Sequence, residues 1–459
     1  MTASSSTSRR SVRWPWLLSW IYFAERVGQP RGLDVLFFTE MWERFSYYGM
    51  RGFLILYLSA AVAAGGLGFD DRHAAHLYAL YVSFVWFTPI AGGFVADRFL
   101  GQYRSVLAGG TIIALGHFTL AFRALGSFYA GLVLIVLGTG LLKPNVSTLV
   151  GSLYDPGDLR RDAGFSLFYM GINIGAFLGI TVAGALAQKV DWHLGFAAAG
   201  VGMSFGLVQY VLGRRRLQPA LDRLAARPKS VGASAAAPAS RVGLSATEWK
   251  RIAAVFVLFI FAALFWGAYE QAGSTLNLFA DRYTRLDVLG FRIPSSWLQA
   301  VQPIFVILLA PVMAWLWVRL GSREPSSPAK FALALLCAGL AFLLLVPAAA
   351  IAQSGAGVKV SPWWLIVAYF IEELGELCLS PVGLSAVTKL APPRLVGRLM
   401  GVFFLSNWLG NLLAGWTAGF FTSLPLHTLF ATVAGVCFGA AVAMFLLIKP
   451  VQRLMGGVH

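Results

Sequence analysis

Apolar residues fall along this chain in twelve long blocks separated by short polar interruptions. The blocks cover about residues 33–62, 73–97, 104–123, 126–151, 162–188, 192–213, 247–281, 295–318, 329–352, 361–391, 395–423 and 426–448. A run of roughly 20 apolar residues is what a helix needs to cross a bilayer, so the pattern predicts twelve spanning helices, numbered here in chain order. In lipid every backbone polar group must find its partner within the protein, which a helix achieves within one segment. Several blocks run longer than the minimum, which predicts tilt or extension beyond the bilayer.

Composition sharpens that picture. The chain is 58% hydrophobic and 12% charged, whereas a globular domain carries about a quarter charged residues. Its net charge of +16 raises the question of nucleic acid, and the placement of the charge answers it. Lys and Arg concentrate in the first tail, the even-numbered loops and the last residues, all on the side that bears both termini. That asymmetry predicts cytoplasmic termini and an integral membrane protein in contact with lipid, with no nucleic-acid partner. Cys337, Cys378 and Cys437 lie far apart inside apolar blocks, so no disulfide is expected. The six histidines show neither metal-ligand spacing nor a paired nucleophile, which speaks against an intramembrane enzyme, a bound metal or another cofactor. No obligatory protein partner is evident.

The blocks divide six and six. Residues 1–32 read as a cytoplasmic tail in which Arg9, Arg10 and Arg13 precede an interfacial aromatic segment, Trp14–Phe23. Residues 33–216 form a first six-helix bundle and 217–246 a flexible cytoplasmic linker rich in Ala, Ser, Pro and Gly. Residues 247–449 form a second bundle and 450–459 a tail. Gly93 to Arg104, with Asp97-Arg98, Gly101 and Arg104, lies between helices 2 and 3. It is echoed by Arg319-Leu-Gly321-Ser-Arg323 at the matching place in the second half. The first stretch resembles the signature of the major facilitator superfamily, implying an all-α fold of two six-helix bundles with substrate held between them.

Candidate chemistry lies in ionisable residues at membrane depth, each costing at least about 3 kcal/mol at a helix centre unless paired or wet. Helix 1 carries Glu40, Glu43, Arg44, Tyr47, Tyr48 and Arg51. Offsets of 3, 4, 7 and 11 keep Glu43, Arg44, Tyr47 and Arg51 near the stripe of Glu40, and Glu40 and Arg44 can pair directly. Helix 4 holds Lys143 deep in its span, read as a cavity-facing cation, followed by Pro144, which frees a carbonyl and kinks the helix. Helix 5 sets Asn173 among Gly171, Gly175 and Gly179, whose spacing predicts close helix packing. Helix 7 has Glu270-Gln271 at mid-span. Helix 10 has Glu372, Glu373 and Glu376 before Ser380-Pro381, with Glu376 read as the deepest and Glu372 on its face one turn away; a solvated portion of a long helix is the alternative for Glu372 and Glu373, and neither is assigned a role. Acids thus occupy helices 1, 7 and 10, and bases helices 1 and 4. A zwitterion with a cation at one end and an anion at the other would bridge the halves, and protonatable carboxylates would supply a coupling ion.

Five motifs occur in order: Glu40-x-x-Glu43-Arg44-Phe45-x-Tyr47-Tyr48-Gly49; Lys143-Pro144 with Ser147; Phe168-Tyr169-x-x-Ile172-Asn173-x-Gly175; Glu270-Gln271; and Gly375-Glu376-x-x-x-Ser380-Pro381-x-Gly383. Together they resemble the proton-dependent oligopeptide transporter family, across essentially the whole membrane region. The resemblance implies a symporter that imports di- and tripeptides with protons by alternating access. In that reading Glu40, Glu43, Arg44 and Glu270 couple protons, while Arg44 and Lys143 face the peptide carboxylate. Glu376, with Asn173 and Ser380, faces the amino end, and Tyr47, Tyr48 and Gln302 complete the binding site. Arg51 with Glu270 closes the outer gate and Lys143 with Glu376 the inner one. Trp86, Gln302 and Phe403 stand where the family has tyrosine, asparagine and tryptophan, and Ala79 where animal relatives have histidine. A carrier of nitrate or another small anion on the same fold, and a peptide receptor that moves nothing, are the alternatives.

Overall fold

The computed structural model describes residues 23–155, 157–226, 244–288, 290–392 and 395–456. Twelve long helices follow the twelve apolar blocks. They are α1 (Leu33–Ser59), α2 (Asp71–Phe87, continued by Pro89–Val95 and a π-helical turn to Leu100), α3 (Gln102–Leu120), α4 (Leu125–Ser152), α5 (Arg160–Lys189) and α6 (Trp192–Leu212). The second half has α7 (Ala246–Tyr269, continued beyond a 3-10 turn by Thr275–Tyr283), α8 (Val301–Leu320), α9 (Ser327–Ala352), α10 (Trp363–Leu390), α11 (Val396–Ala418) and α12 (Leu426–Met455). Among the described residues, nine helices are long and apolar enough to cross a membrane. α1 and α10 fall outside that set because they carry the buried charges, and α3 because it opens on Gln102, Tyr103 and Arg104. The outward surface is apolar, as lipid requires, with Phe205, Trp315, Leu343 and Phe445 among its exposed side chains.

Within the first half α1 packs on α5 and α6, and α3 on α4 and α6; within the second, α9 packs on α10 and α12, and α7 on α11 and α12. The halves meet where α2 lies against α11 and α5 against α8. This is the major facilitator arrangement of two six-helix bundles. The four-residue glycine spacing of α5 does what it predicts: a Cβ at Gly175 would fall 2.1 Å from the Met41 carbonyl oxygen, and one at Gly179 would fall 2.2 Å from that of Phe45. Only glycine lets α5 approach α1 so closely, and that approach fixes the rotation of the charged stripe on α1.

The Asp97 turn is closed by glycine geometry and an amide. Gly101 takes φ +73° at the turn, and Gln102 Nε2 donates to Asp97 Oδ1 at 2.8 Å, so an amide rather than an arginine holds the aspartate. α4 stays helical through Pro144. The carbonyl that Pro144 leaves without its usual donor is that of Gly140, and the backbone of Gly92 presses against that atom.

Two domain boundaries change. The linker begins with a helix, Arg214–Ala226, whose Leu217 and Ala220 are buried. Its Arg223 donates to the carbonyls of Ser152 and Leu153 at 3.1 and 2.7 Å, and its Arg216 pairs with Asp34 at the start of α1. Apolar residues at helical spacing (Leu217, Ala220, Leu221, Leu224) explain the docking, because the Ala/Ser-rich composition starts only beyond them. At the other end α12 continues through Pro450 to Met455, so most of 450–459 is helix rather than tail. Residues 227–243 of the linker and the aromatic segment Trp14–Phe23, apart from Phe23 itself, lie outside the described residues.

Candidate functional site

The charges of α1 form a compact triad. Glu40 and Arg44, one turn apart, pair at 3.2 Å, and Arg44 Nε also bonds the Glu43 carboxylate. All three are at most 2% exposed. One guanidinium serving two carboxylates leaves Glu40 Oε2, Glu43 Oε1 and Arg44 Nη2 without hydrogen-bond partners. Buried polar atoms without partners are rare and cost about 1–3 kcal/mol each; the two carboxylate oxygens can therefore take a proton, and Arg44 Nη2 can donate to a new anion. The guanidinium lies 5.1 Å from the Tyr47 ring and 5.9 Å from that of Tyr48. Tyr48 also faces Arg51 at 5.7 Å, so it stands between the two arginines and is only half-buried. Tyr47, expected to line the pocket, is instead sealed at 2% exposure, turned toward Tyr81 of α2.

Lys143 of α4 is half-buried and faces Glu40 and Glu43. Its Nζ sits 3.4 Å from the centroid of the Trp86 ring of α2, a cation–π contact worth about 0.5–2 kcal/mol. Trp86 is thus a platform for the lysine.

In the second half Glu270 opens a 3-10 turn, Glu270–Gly273, that interrupts α7. Its carboxylate bonds Arg51 Nη2 across the halves, and Arg51 Nε donates to Tyr78 Oη at 2.8 Å. More bonds join the halves around this pair. Asn277 Nδ2 donates to the Gly52 carbonyl at 2.8 Å, Arg282 grips both oxygens of Asp71 at 2.6 Å, and Ser296 Oγ donates to Gln188 Oε1 at 2.8 Å. Lys143 and Glu376, by contrast, make no salt bridge with each other; the second expected gate is unbridged in this structure.

On α10, Glu372 and Glu373 are completely buried and Glu376 is 6% exposed. At that depth α10 is enclosed by α8, α9 and the core of the second bundle, so the alternative of a solvated stretch for the first two does not hold. Tyr269 Oη donates to Glu373 Oε1 at 2.7 Å. Gln302 of α8 faces the same carboxyl and Ser380 faces Glu376, neither closing a hydrogen bond. Asn173 is buried and spends its amide on the Tyr169 carbonyl at 3.0 Å. Phe403 is not on an open face either: at 4% exposure it packs against Gly383, where a Cβ would fall 2.6 Å from its ring.

Tyr169 of α5 ties these clusters together. It faces Glu373 and Glu376 on one side and Tyr48 on the other, yet is 40% exposed. An accessible phenol ring therefore stands beside both the α1 aromatics and the α10 acids. Tyr169, Tyr78, Tyr269 and Glu373 join the site although the sequence reading assigns none of them a role. Two of them carry a signal there: Tyr269 directly precedes Glu270, and Tyr169 is one turn before Asn173. No group of His, Cys, Asp or Glu among the described residues is arranged to hold a metal.

Comparison with known proteins agrees with this architecture. A family model described as the POT family matches residues 103–220 and 218–433. A peptide transporter of Yersinia enterocolitica, YePEPT, is 38% identical over 94% of this chain and 96% of its own length. A di-/tripeptide transporter of Lactococcus lactis subsp. cremoris is 35% identical over 94% and 98%. The crystal structure of a peptide transporter POT in complex with sulfate superposes with a TM-score of 0.84 at 42% identity, covering 94% of this chain and 96% of that one.

Proposed function

The chain belongs to the POT family, and on that footing we propose that it is a symporter importing di- and tripeptides together with protons by alternating access. Both termini face the cytoplasm of a bacterium and the protein sits in its inner membrane. The observation that carries this reading is the contrast between two charge pairs: Arg51 and Glu270 are bonded, while Lys143 and Glu376 are not. The outer side is then shut and the inner side free to open.

The steps follow from the charges. Protonating Glu270 strips Arg51 of its counter-charge, and breaking a buried pair costs about 3–5 kcal/mol, enough to unseat the outer closure. A peptide then enters with its carboxylate toward Arg44 and Lys143 and its amine toward Glu376. Protonation of Glu43 or Glu40 releases Arg44 from its own acids, so the carboxylate and the proton bind in concert. Outer closure re-forms when Glu270 gives up its proton, and Lys143 and Glu376 bond each other once the peptide's two ends have left. The halves rock around this midplane site. The named substrates of the Lactococcus relative support di- and tripeptides as the cargo.

Uptake of labelled dialanine into proteoliposomes under an imposed pH gradient tests the proposal. Accumulation that a protonophore abolishes is the expected result. Nitrate uptake that dipeptides fail to compete with would make it an anion carrier, and dipeptide binding without accumulation a receptor.

A further inference from the structure

The acids of α10 are more numerous than a peptide's amino end needs, and they differ in one physical respect. Glu372 and Glu373 are both fully buried. Besides Glu373, Glu372 faces Tyr369 of its own helix and Cys437 of α12, and neither of its oxygens has a hydrogen-bond partner. Glu373 accepts from Tyr269 through Oε1 at 2.7 Å, and only its Oε2 lacks a partner. Gln302 on a third helix supplies an independent pointer. It is 9% exposed, its Nε2 has no partner, and it is aimed at Glu373. The titratable groups facing Glu373 are Glu372 and Glu376 on α10, Tyr269 on α7 and Tyr169 on α5. None is a cation, and no salt bridge among the described residues reaches the three acids. A carboxylate buried with neither a cation nor a full set of donors is costly at depth; in this conformation Glu372 has no donor and Glu373 has only Tyr269.

We propose that Glu373 is a second proton-carrying site, loaded and emptied in each transport cycle, whereas Glu372 keeps its proton throughout. The distinction rests on what receives the charge when the proton leaves. At Glu373 the Oε2–H bond breaks, its electron pair stays on Oε2, and the proton passes to water beside the accessible Tyr169 ring. The phenol of Tyr269 keeps its own proton and donates to the new anion at Oε1, and the idle Gln302 amide turns to Oε2. At Glu372 no donor waits. Tyr269 directly precedes Glu270 at the break in α7, so the charge on Glu373 is felt next to the Arg51 closure.

This inference rests on the symport reading, and its test separates the two. Dialanine accumulation is measured in proteoliposomes at zero membrane potential across a gradient of one pH unit, with gradient-free counterflow as the control for folding. One coupled proton fewer lowers the limiting accumulation about tenfold. Glu373→Gln is expected to keep counterflow and lose about tenfold in accumulation, while Glu372→Gln matches the parent. Tyr269→Phe removes the donor and slows release, so its uptake recovers when the vesicle interior is made alkaline; this variant decides the matter should Glu373→Gln fail to fold. Parental accumulation in Glu373→Gln, a tenfold loss in Glu372→Gln, or an unshifted pH profile in Tyr269→Phe each overturns the inference. No gradient-driven accumulation by the parent protein would instead sink the symport reading itself.

Discussion

The two halves hold their buried charge in opposite ways. In the first, Glu40 and Glu43 share Arg44 and look toward Lys143, so two acids meet two bases. In the second, Glu372, Glu373 and Glu376 meet no base among the described residues, and phenols, amides and a hydroxyl are their polar neighbours. A balanced cluster is a switchable lock: any one proton or substrate charge changes who pairs with whom. An unbalanced cluster is a store, since its members ionise only when a cation or a set of donors comes to meet them. The Arg51–Glu270 bond joins the two regimes, with an arginine from the balanced side and a glutamate from the side that has no base to spare.

The sharpest way to break this comparison is to unbalance the balanced half. Arg44→Ala leaves two buried carboxylates facing each other, a loss of about 3–5 kcal/mol. Uptake and counterflow should both fall to background, and the thermal midpoint of the purified protein should drop. Retained counterflow would mean that the triad is no more than a strut. Glu43→Gln is gentler because Glu40 remains for Arg44: accumulation driven by the gradient should vanish while counterflow exchange persists, and full accumulation would remove Glu43 from coupling.

The hinge between the regimes comes next. Glu270→Gln deprives Arg51 of its counter-charge and should open the outer side. Ser274 is fully buried and its hydroxyl has no partner, so Ser274→Cys in a cysteine-free background reports opening through a membrane-impermeant thiol reagent. Labelling should be slow in the parent background and fast with Glu270→Gln. Equal rates would show that the bonds of Arg282, Asn277 and Ser296 hold the closure without the ion pair. A smaller effect is expected at Trp86: Trp86→Ala removes the platform under Lys143, about 1 kcal/mol, and should weaken dialanine competition about fivefold, with Trp86→Phe in between.

The fold is largely legible because its determinants are local. Block lengths give the twelve helices, and the glycines of α5 announce their contact with α1. The pairing of Glu40 with Arg44 follows from helix geometry alone. What the sequence hides depends on how far one half is rotated against the other. Nothing local distinguishes Glu373 from a solvated residue, since its partner Tyr269 is more than a hundred residues away. The same holds for Tyr47 and Tyr48, neighbours in sequence, of which the first is sealed and the second only half-buried. Trp86 reads only as a replacement for the tyrosine of the family, and its use under Lys143 appears when α2 meets α4. Ala79 shows the reverse case: a Cβ at Gly415 of α11 would fall 1.9 Å from the Ala79 Cβ, so the tight seam between the halves leaves no room for a histidine there. The docked helix Arg214–Ala226 is hard to see in the sequence because its apolar face runs straight into the low-complexity stretch that follows it.

The smallest expected effect is the most discriminating, because it runs against the usual cost of core substitution. Removing a charge from the first half strands a partner; removing Glu372 strands nothing, since neither carboxyl oxygen has a hydrogen bond to lose. A buried polar group without partners destabilises by its desolvation, and an apolar side chain of similar volume relieves that cost. Glu372→Met should therefore melt no lower than the parent and gain up to about 1 kcal/mol, with dialanine accumulation unaltered. A midpoint several degrees lower would mean that Glu372 has a partner whose loss matters, and the description of the second half as a store of neutral acids would have to be abandoned.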